Sequence, residues 1–177
     1  MSAIKLSTPS SGSISLSPAN TASNLTITVP AVSGTMNLVG PAFFASTLYT
    51  VSLSNNTATA VTGYGSPIFD TASAFNTTNG RFTPQVAGYY QVNGIADFGN
   101  SGIGSCSSVG AVIFKNGTSY SGSGGSVSGS SFAGYGTSTL VYLNGSTDYI
   151  QLAIFQNTGG TVSGSRGVFS AALVRGA

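Results

Sequence analysis

Period-two alternation of apolar residues, broken again and again by glycine, dominates this sequence. In 88–98, Tyr90, Val92, Gly94, Ala96 and Phe98 fall on one side of an extended chain, and Tyr89, Gln91, Asn93, Ile95 and Asp97 on the other. In 149–156, Ile150, Leu152 and Ile154 alternate with Tyr149, Gln151, Ala153 and Phe155. In 168–174, Phe169, Ala171 and Leu173 alternate with Val168, Ser170, Ala172 and Val174. Successive side chains of a strand point to opposite faces, so each run offers one apolar face to a core. Twenty-five glycines punctuate these short runs, the pattern of many strands joined by turns, and helix-favouring residues are sparse or scattered. An all-β fold of many short strands follows. The second face of each run is half-polar, aromatic and poor in charge, where a solvated face would carry Lys, Glu and Thr. That pattern predicts a second burial, between subunits.

Charge is the other anomaly. Charged residues make up 5% of the 177 positions, against about 25% in an ordinary globular domain. The acids are Asp70, Asp97 and Asp148; the bases are Lys5, Arg81, Lys115, Arg166 and Arg175; His, Glu and Trp are absent. Without His, neither a Ser-His-Asp nor a Cys-His triad can be assembled, and a zinc cluster lacks its ligands. No phosphate-cradling G-x-x-x-x-G-K-[ST] motif occurs. The sequence therefore predicts no catalytic residue, no cofactor and no metal. The five bases are scattered singly, so the dense basic footprint of a nucleic-acid binder is missing. Cys106 is the one cysteine, which leaves no internal disulfide, and its Gly/Ser-rich surroundings give no basic partner to activate a thiol. No apolar stretch reaches the length of a membrane span, and no charged start with an apolar run follows Met1. The expectation is a protein made in a cytoplasm, with no nucleic-acid or membrane partner.

Two regions are expected. Residues 1–40 hold three small apolar sets at period two: Ile14 and Leu16, then Leu25, Ile27 and Val29, then Met36 and Leu38. Short strands with so little core of their own must bury their faces on a neighbour, so this segment reads as a β-rich anchoring arm. Gly40-Pro41 marks its end, and 41–177 reads as one globular domain large enough for its own core. Within that domain, 119–136 is a low-complexity Ser/Gly/Tyr stretch. Two readings stay open for it: a flexible loop or worn-down edge strand, and a Tyr-bearing binding loop.

Several segments of 41–177 carry a resemblance. Phe75-Asn76, then Gly80-Arg81-Phe82-Thr83-Pro84, then Gly88-Tyr89-Tyr90 are followed by Phe114-Lys115-Asn116-Gly117 and Leu143-Asn144-Gly145 through Asp148-Tyr149-Ile150-Gln151-Leu152. Pro41-Ala42-Phe43-Phe44-Ala45 opens the domain, and Phe169 through Val174 closes it. In this order they resemble the globular head of complement component one-q, a jelly roll of the tumour-necrosis-factor superfamily. The resemblance implies a ten-strand jelly-roll sandwich that forms a homotrimer with one sheet of each subunit facing its partners. Tyr89, Tyr149, Gln151 and Phe155 are the candidates for that surface. No collagen-like stalk precedes the head. Instead, 11–39 resembles Ser/Thr-rich repeats found before the tips of bacteriophage fibres, especially Asn24 through Pro30 and Ser33 through Leu38. Some members of the family bind calcium, but three acids in the whole chain are too few for a calcium cage.

These features together predict a non-enzymatic bacteriophage virion protein, exposed on the particle surface. A trimer with a short arm suits a capsid decoration or cement protein, or a short head fibre, bound to the major capsid protein or other virion proteins. The alternative is a tail-fibre tip that binds a host receptor or surface glycan through Tyr64, Tyr120 and Tyr135, each flanked by Gly or Ser. A cellular adhesion or signalling module of the complement type is a third reading, and a polysaccharide depolymerase the remaining enzymatic one.

Overall fold

The computed structural model describes residues 40–47, 52–98, 106–128, 134–163 and 166–177. The chain divides between Gly34 and Thr35 into two units, and every described residue belongs to the second. The arm residues Ile14, Leu16, Leu25, Ile27, Val29 and Leu38 lie outside the described residues. No helix occurs among the described residues. The strands are β1 (Ala42–Thr47), β2 (Ser52–Leu53), β3 (Thr59–Ala60), β4 (Phe69–Asp70), β5 (Phe75–Asn76), β6 (Arg81–Phe82) and β7 (Ala87–Asp97). They continue with β8 (Cys106–Lys115), β9 (Thr118–Val127), β10 (Gly134–Asn144), β11 (Ile150–Gln156), β12 (Val162–Ser163) and β13 (Arg166–Gly176).

Two antiparallel sheets form the sandwich. One has five strands in the order β10-β7-β13-β1-β4; the other has the order β5-β6-β11-β8-β9, with β3 also pairing β11. The short strands β2 and β12 pair separately. Apart from the sequential pairs β5-β6 and β8-β9, neighbouring strands are non-consecutive, the mark of a jelly roll rather than a meander.

The alternation read from the sequence places the core. Tyr90, Val92, Ala96 and Phe98 of the Gly-Tyr-Tyr run are buried, as are Ile150, Leu152 and Ile154, and Phe169 with Ala171. Phe43 of β1 is stacked between Phe75 and Phe82, each ring centroid 4.5 Å away, with Phe169 edge-on at 5.1 Å. Offset and edge-on aromatic pairs of this kind add about 0.5–1.5 kcal/mol each beyond their buried area. Thus the first strand and the Phe-Asn…Gly-Arg-Phe motif meet in one aromatic cluster.

Turn chemistry closes the strands. Asn116 and Gly117, both at positive φ (53° and 80°), make the tight β8–β9 hairpin, the two-residue turn that Asn-Gly favours. Gly80, at φ 69°, immediately precedes β6, and a Cβ there would strike the Val61 carbonyl oxygen. The low-complexity stretch is largely a strand: β9 forms the edge of the second sheet, and most of its side chains are exposed.

Strand β11 departs from the expectation of a second face left for a partner. Ala153 is fully buried and Gln151 nearly so, its amide donating to the Asn79 carbonyl at 2.8 Å. Intramolecular contacts bury this stretch, so part of the predicted second burial is met within the chain.

Candidate self-association face

The outward side of the five-stranded sheet can be built row by row from its registers. Its middle row runs Phe69, Phe44, Ser170, Asn93, Ser138 from β4 to β10. On one side of it comes Ala42, Ala172, Gln91, Leu140, and beyond that Arg175, Tyr89, Tyr142. On the other side comes Ser46, Val168, Ile95, Gly136, and beyond that Arg166, Asp97, Gly134. A register shift between Leu173 and Arg175 marks a bulge at the end of β13 beside Val174.

This face is unusually apolar for solvent contact. Phe69, Tyr89, Ile95, Leu140, Tyr142 and Val174 belong to β4, β7, β10 and β13 and are between 40% and 54% exposed. The Tyr89 and Tyr142 rings lie 5.5 Å apart as a cross-strand pair. The three central rows carry no charge; Arg166 and Asp97 lie at one end, directly opposite each other, and Arg175 at the other. Large contiguous apolar patches are uncommon on monomers and mark interaction surfaces. A small polar network occupies the middle: the Gln91 amide donates to Ser138 Oγ at 2.8 Å, and Ser138 Oγ donates to Asn93 Oδ1 at 2.9 Å.

The four interface candidates chosen from the sequence do not share this face. Only Tyr89 lies on it. Gln151 is buried on β11, and Phe155 is half-buried on the opposite sheet. Tyr149 precedes β11 and carries the Arg81 guanidinium 4.0 Å above its ring. The correction has a plain cause: period two reports which side of a strand is apolar, whereas pairing order decides which sheet that strand joins. Leu140 and Tyr142 were missed because 140–143 reads Leu-Val-Tyr-Leu, apolar at both parities. Ile95 shares the Tyr89 parity, and that was its available signal.

The tyrosines chosen as exposed-loop binding residues are also placed otherwise. Tyr64 is buried, packed edge-on against Phe75 at 5.1 Å, and its hydroxyl has no hydrogen-bond partner among the described residues. Burial pushes its hydroxyl well above the usual phenol range. Tyr120 and Tyr135 sit on strands β9 and β10, with their hydroxyls bound to Leu140 O at 3.2 Å and Ser126 O at 3.1 Å.

At the Arg175 end of the sandwich, the β8–β9 and β10–β11 turns are tied by Asp148. It accepts from Asn116 Nδ2 at 2.8 Å and pairs with Lys115 Nζ at 3.1 Å. The Asn116 amide first, and then Lys115, hold its carboxyl below the usual carboxylate range. A depression of about 180 Å³ lies between β8 and β9, lined by Gly110, Gly122, Gly124, Val112 and Phe155 among others, with no titratable residue. No group of three or more His, Cys, Asp or Glu gathers among the described residues.

No family model and no curated protein matches the sequence. Solved structures do match. The globular domain of zebrafish complement 1qA protein superposes with a TM-score of 0.61 at 18% identity, covering 77% of this chain and 99% of its own. The fold is that of the complement-component-one-q and tumour-necrosis-factor jelly rolls. PRD1 vertex protein P5 superposes with a TM-score of 0.58 at 17% identity, covering 76% of this chain and 97% of its own. Murine APRIL gives 0.56 at 12% identity, over 77% and 100%. The jelly-roll architecture thus spans a complement protein and a bacteriophage vertex protein alike.

Proposed function

We propose that this chain is a non-enzymatic structural protein of a bacteriophage particle. It is a homotrimer on the virion surface, acting as a capsid decoration or cement protein or as a short head fibre. The observation that carries this reading is the apolar outward face of the β10-β7-β13-β1-β4 sheet, whose central rows carry no charge. Such a face is unsuited to solvent and suited to another copy of itself. Support for the virion setting comes from the fold shared with PRD1 vertex protein P5 and from the fibre-like repeats in residues 11–39. The jelly roll projects outward, and the arm of residues 1–40 engages the major capsid protein or another virion protein. Binding to the assembled shell and not to its free subunits stabilises that shell by mass action. Three arms per trimer raise a weak single-arm affinity through effective concentration.

Gold-labelled antibody on intact particles, viewed by electron microscopy, tests the placement. Label spread over the shell supports decoration or head fibres. Label confined to the tail supports the receptor-binding alternative, and label on no particle removes the virion reading.

A further inference from the structure

The centre of the outward face holds a polar network whose hydrogen-bonding capacity is not used up. A side-chain amide has two N–H donors and a carbonyl oxygen with two lone pairs. Asn93 Oδ1 accepts from Ser138 Oγ at 2.9 Å, while neither N–H of Asn93 Nδ2 has a partner among the described residues. Gln91 is its converse. Its Nε2 donates to Ser138 Oγ at 2.8 Å and to Thr139 O at 3.3 Å, while its Oε1 accepts from no described residue. One copy therefore presents a spare donor and a spare acceptor, two residues apart on β7, pointing out of the same face.

We propose that Asn93 of each copy donates its side-chain amide to the Gln91 carbonyl oxygen of the next. This clasp sets the register and the number of copies in the assembly. The inference rests on the trimer reading above and specifies its contact. A donor on one residue and an acceptor on another make a directional, head-to-tail contact, which closes into a ring under rotational symmetry. Apolar neighbours such as Tyr89, Leu140 and Ile95 supply attraction without direction. A polar group inside such a face is costly unless paired, so only the register that pairs it is favoured. Single buried polar residues select register and copy number in coiled coils by the same logic. Like charges would repel between copies, and the central rows carry none.

The test is the mass in solution of the full chain and of its Asn93→Asp variant, by light scattering at pH 7 and pH 3.5, with circular dichroism to confirm folding. The carboxylate of Asn93→Asp faces the Gln91 oxygen, two acceptors opposed, and regains a donor when protonated near the usual pKa of about 4. Charged groups on the same sheet are Asp97 and Arg166, opposite each other at one end, Arg175 at the other, and Asp70 on β4, whose carboxylate accepts from the Ala74 and Phe75 amides. Lys115 of the other sheet reaches the Tyr142 ring at 5.8 Å, and Tyr89 and Tyr142 are the remaining titratable groups on this face. The proposal expects wild type trimeric at both pH values, and Asn93→Asp at least about tenfold weaker in association at pH 7 with recovery at pH 3.5. A trimeric wild type with Asn93→Asp equally trimeric at both pH values overturns the clasp and leaves the trimer standing. A monomeric wild type overturns the trimer reading itself.

Discussion

Tyr120 and Tyr135 cross between the two sheets in opposite directions, each donating its hydroxyl to a backbone carbonyl of the strand that bears the other. Tyr120 leaves β9 for Leu140 O of β10, and Tyr135 leaves β10 for Ser126 O of β9. β9 and β10 are the edges of different sheets and share no backbone ladder. The tyrosine pair closes that side of the sandwich with side chains. Gly125 is part of the arrangement, because a Cβ there would come within 3.0 Å of the Tyr135 ring.

Removing either hydroxyl is therefore expected to loosen this side more than the remainder. Tyr120→Phe and Tyr135→Phe each cost about 1 kcal/mol in urea unfolding. Hydrogen exchange should accelerate in β9 and β10 and stay unchanged in β1 and β13. Uniform acceleration across all strands would show that these bonds are not a local closure.

Alkaline pH should unfold the protein through its buried phenols. Tyr90 is fully buried and donates to Val86 O at 2.7 Å, and burial pushes its pKa up to about 12 from 10.0. A raised pKa means that the folded state holds its proton while the unfolded state releases it. Stability is then intact below pH 10 and falls as pH rises from 10 towards 12 and beyond. Tyr64→Phe removes a second buried phenol, one without a described hydrogen-bond partner. That variant should gain about 1 kcal/mol at pH 7 and lose stability less steeply above pH 10. Urea titrations at a series of pH values measure both effects.

Gly80→Ala is expected to be among the most damaging single changes available. The residue combines φ 69° with a Cβ position that overlaps the Val61 carbonyl oxygen. Strain at positive φ is about 1 kcal/mol, and displacing the backbone of a neighbouring segment adds to it. A loss of at least about 2 kcal/mol in thermal or urea unfolding is the expected outcome. Gly160→Ala, where a Cβ meets nothing within 4 Å and φ is not positive, serves as the control and should be neutral.

Leu140→Glu tests the face as a whole. Leu140 is half-exposed on β10, next to the Tyr89–Tyr142 pair. A carboxylate there stays hydrated in an isolated chain but loses that hydration when another copy covers it. The variant should fold with unchanged circular dichroism and unfolding midpoint at low concentration, yet sediment as a monomer. Persistence of the wild-type oligomer would move the interface elsewhere.

Much of the domain was legible from local pattern. The core sides of β7, β11 and β13 follow from alternation, and the β8–β9 hairpin from Asn116-Gly117, because side-chain direction and turn conformation are set by residues a few positions apart. The near absence of charge likewise stands in the composition alone. What the sequence left open was decided by pairing over long separations. β1 lies beside β13, and β7 lies between β10 and β13. That order put Tyr89 in one sheet and Phe155 in the other, closed the second side of β11 at Gln151, and turned Tyr64 inward. It also brought Ser138 of β10 beside Gln91 and Asn93 of β7, 47 and 45 residues away along the chain. Local alternation chooses a side of each strand; only the packing of all strands at once decides whether that side meets core, solvent or another copy.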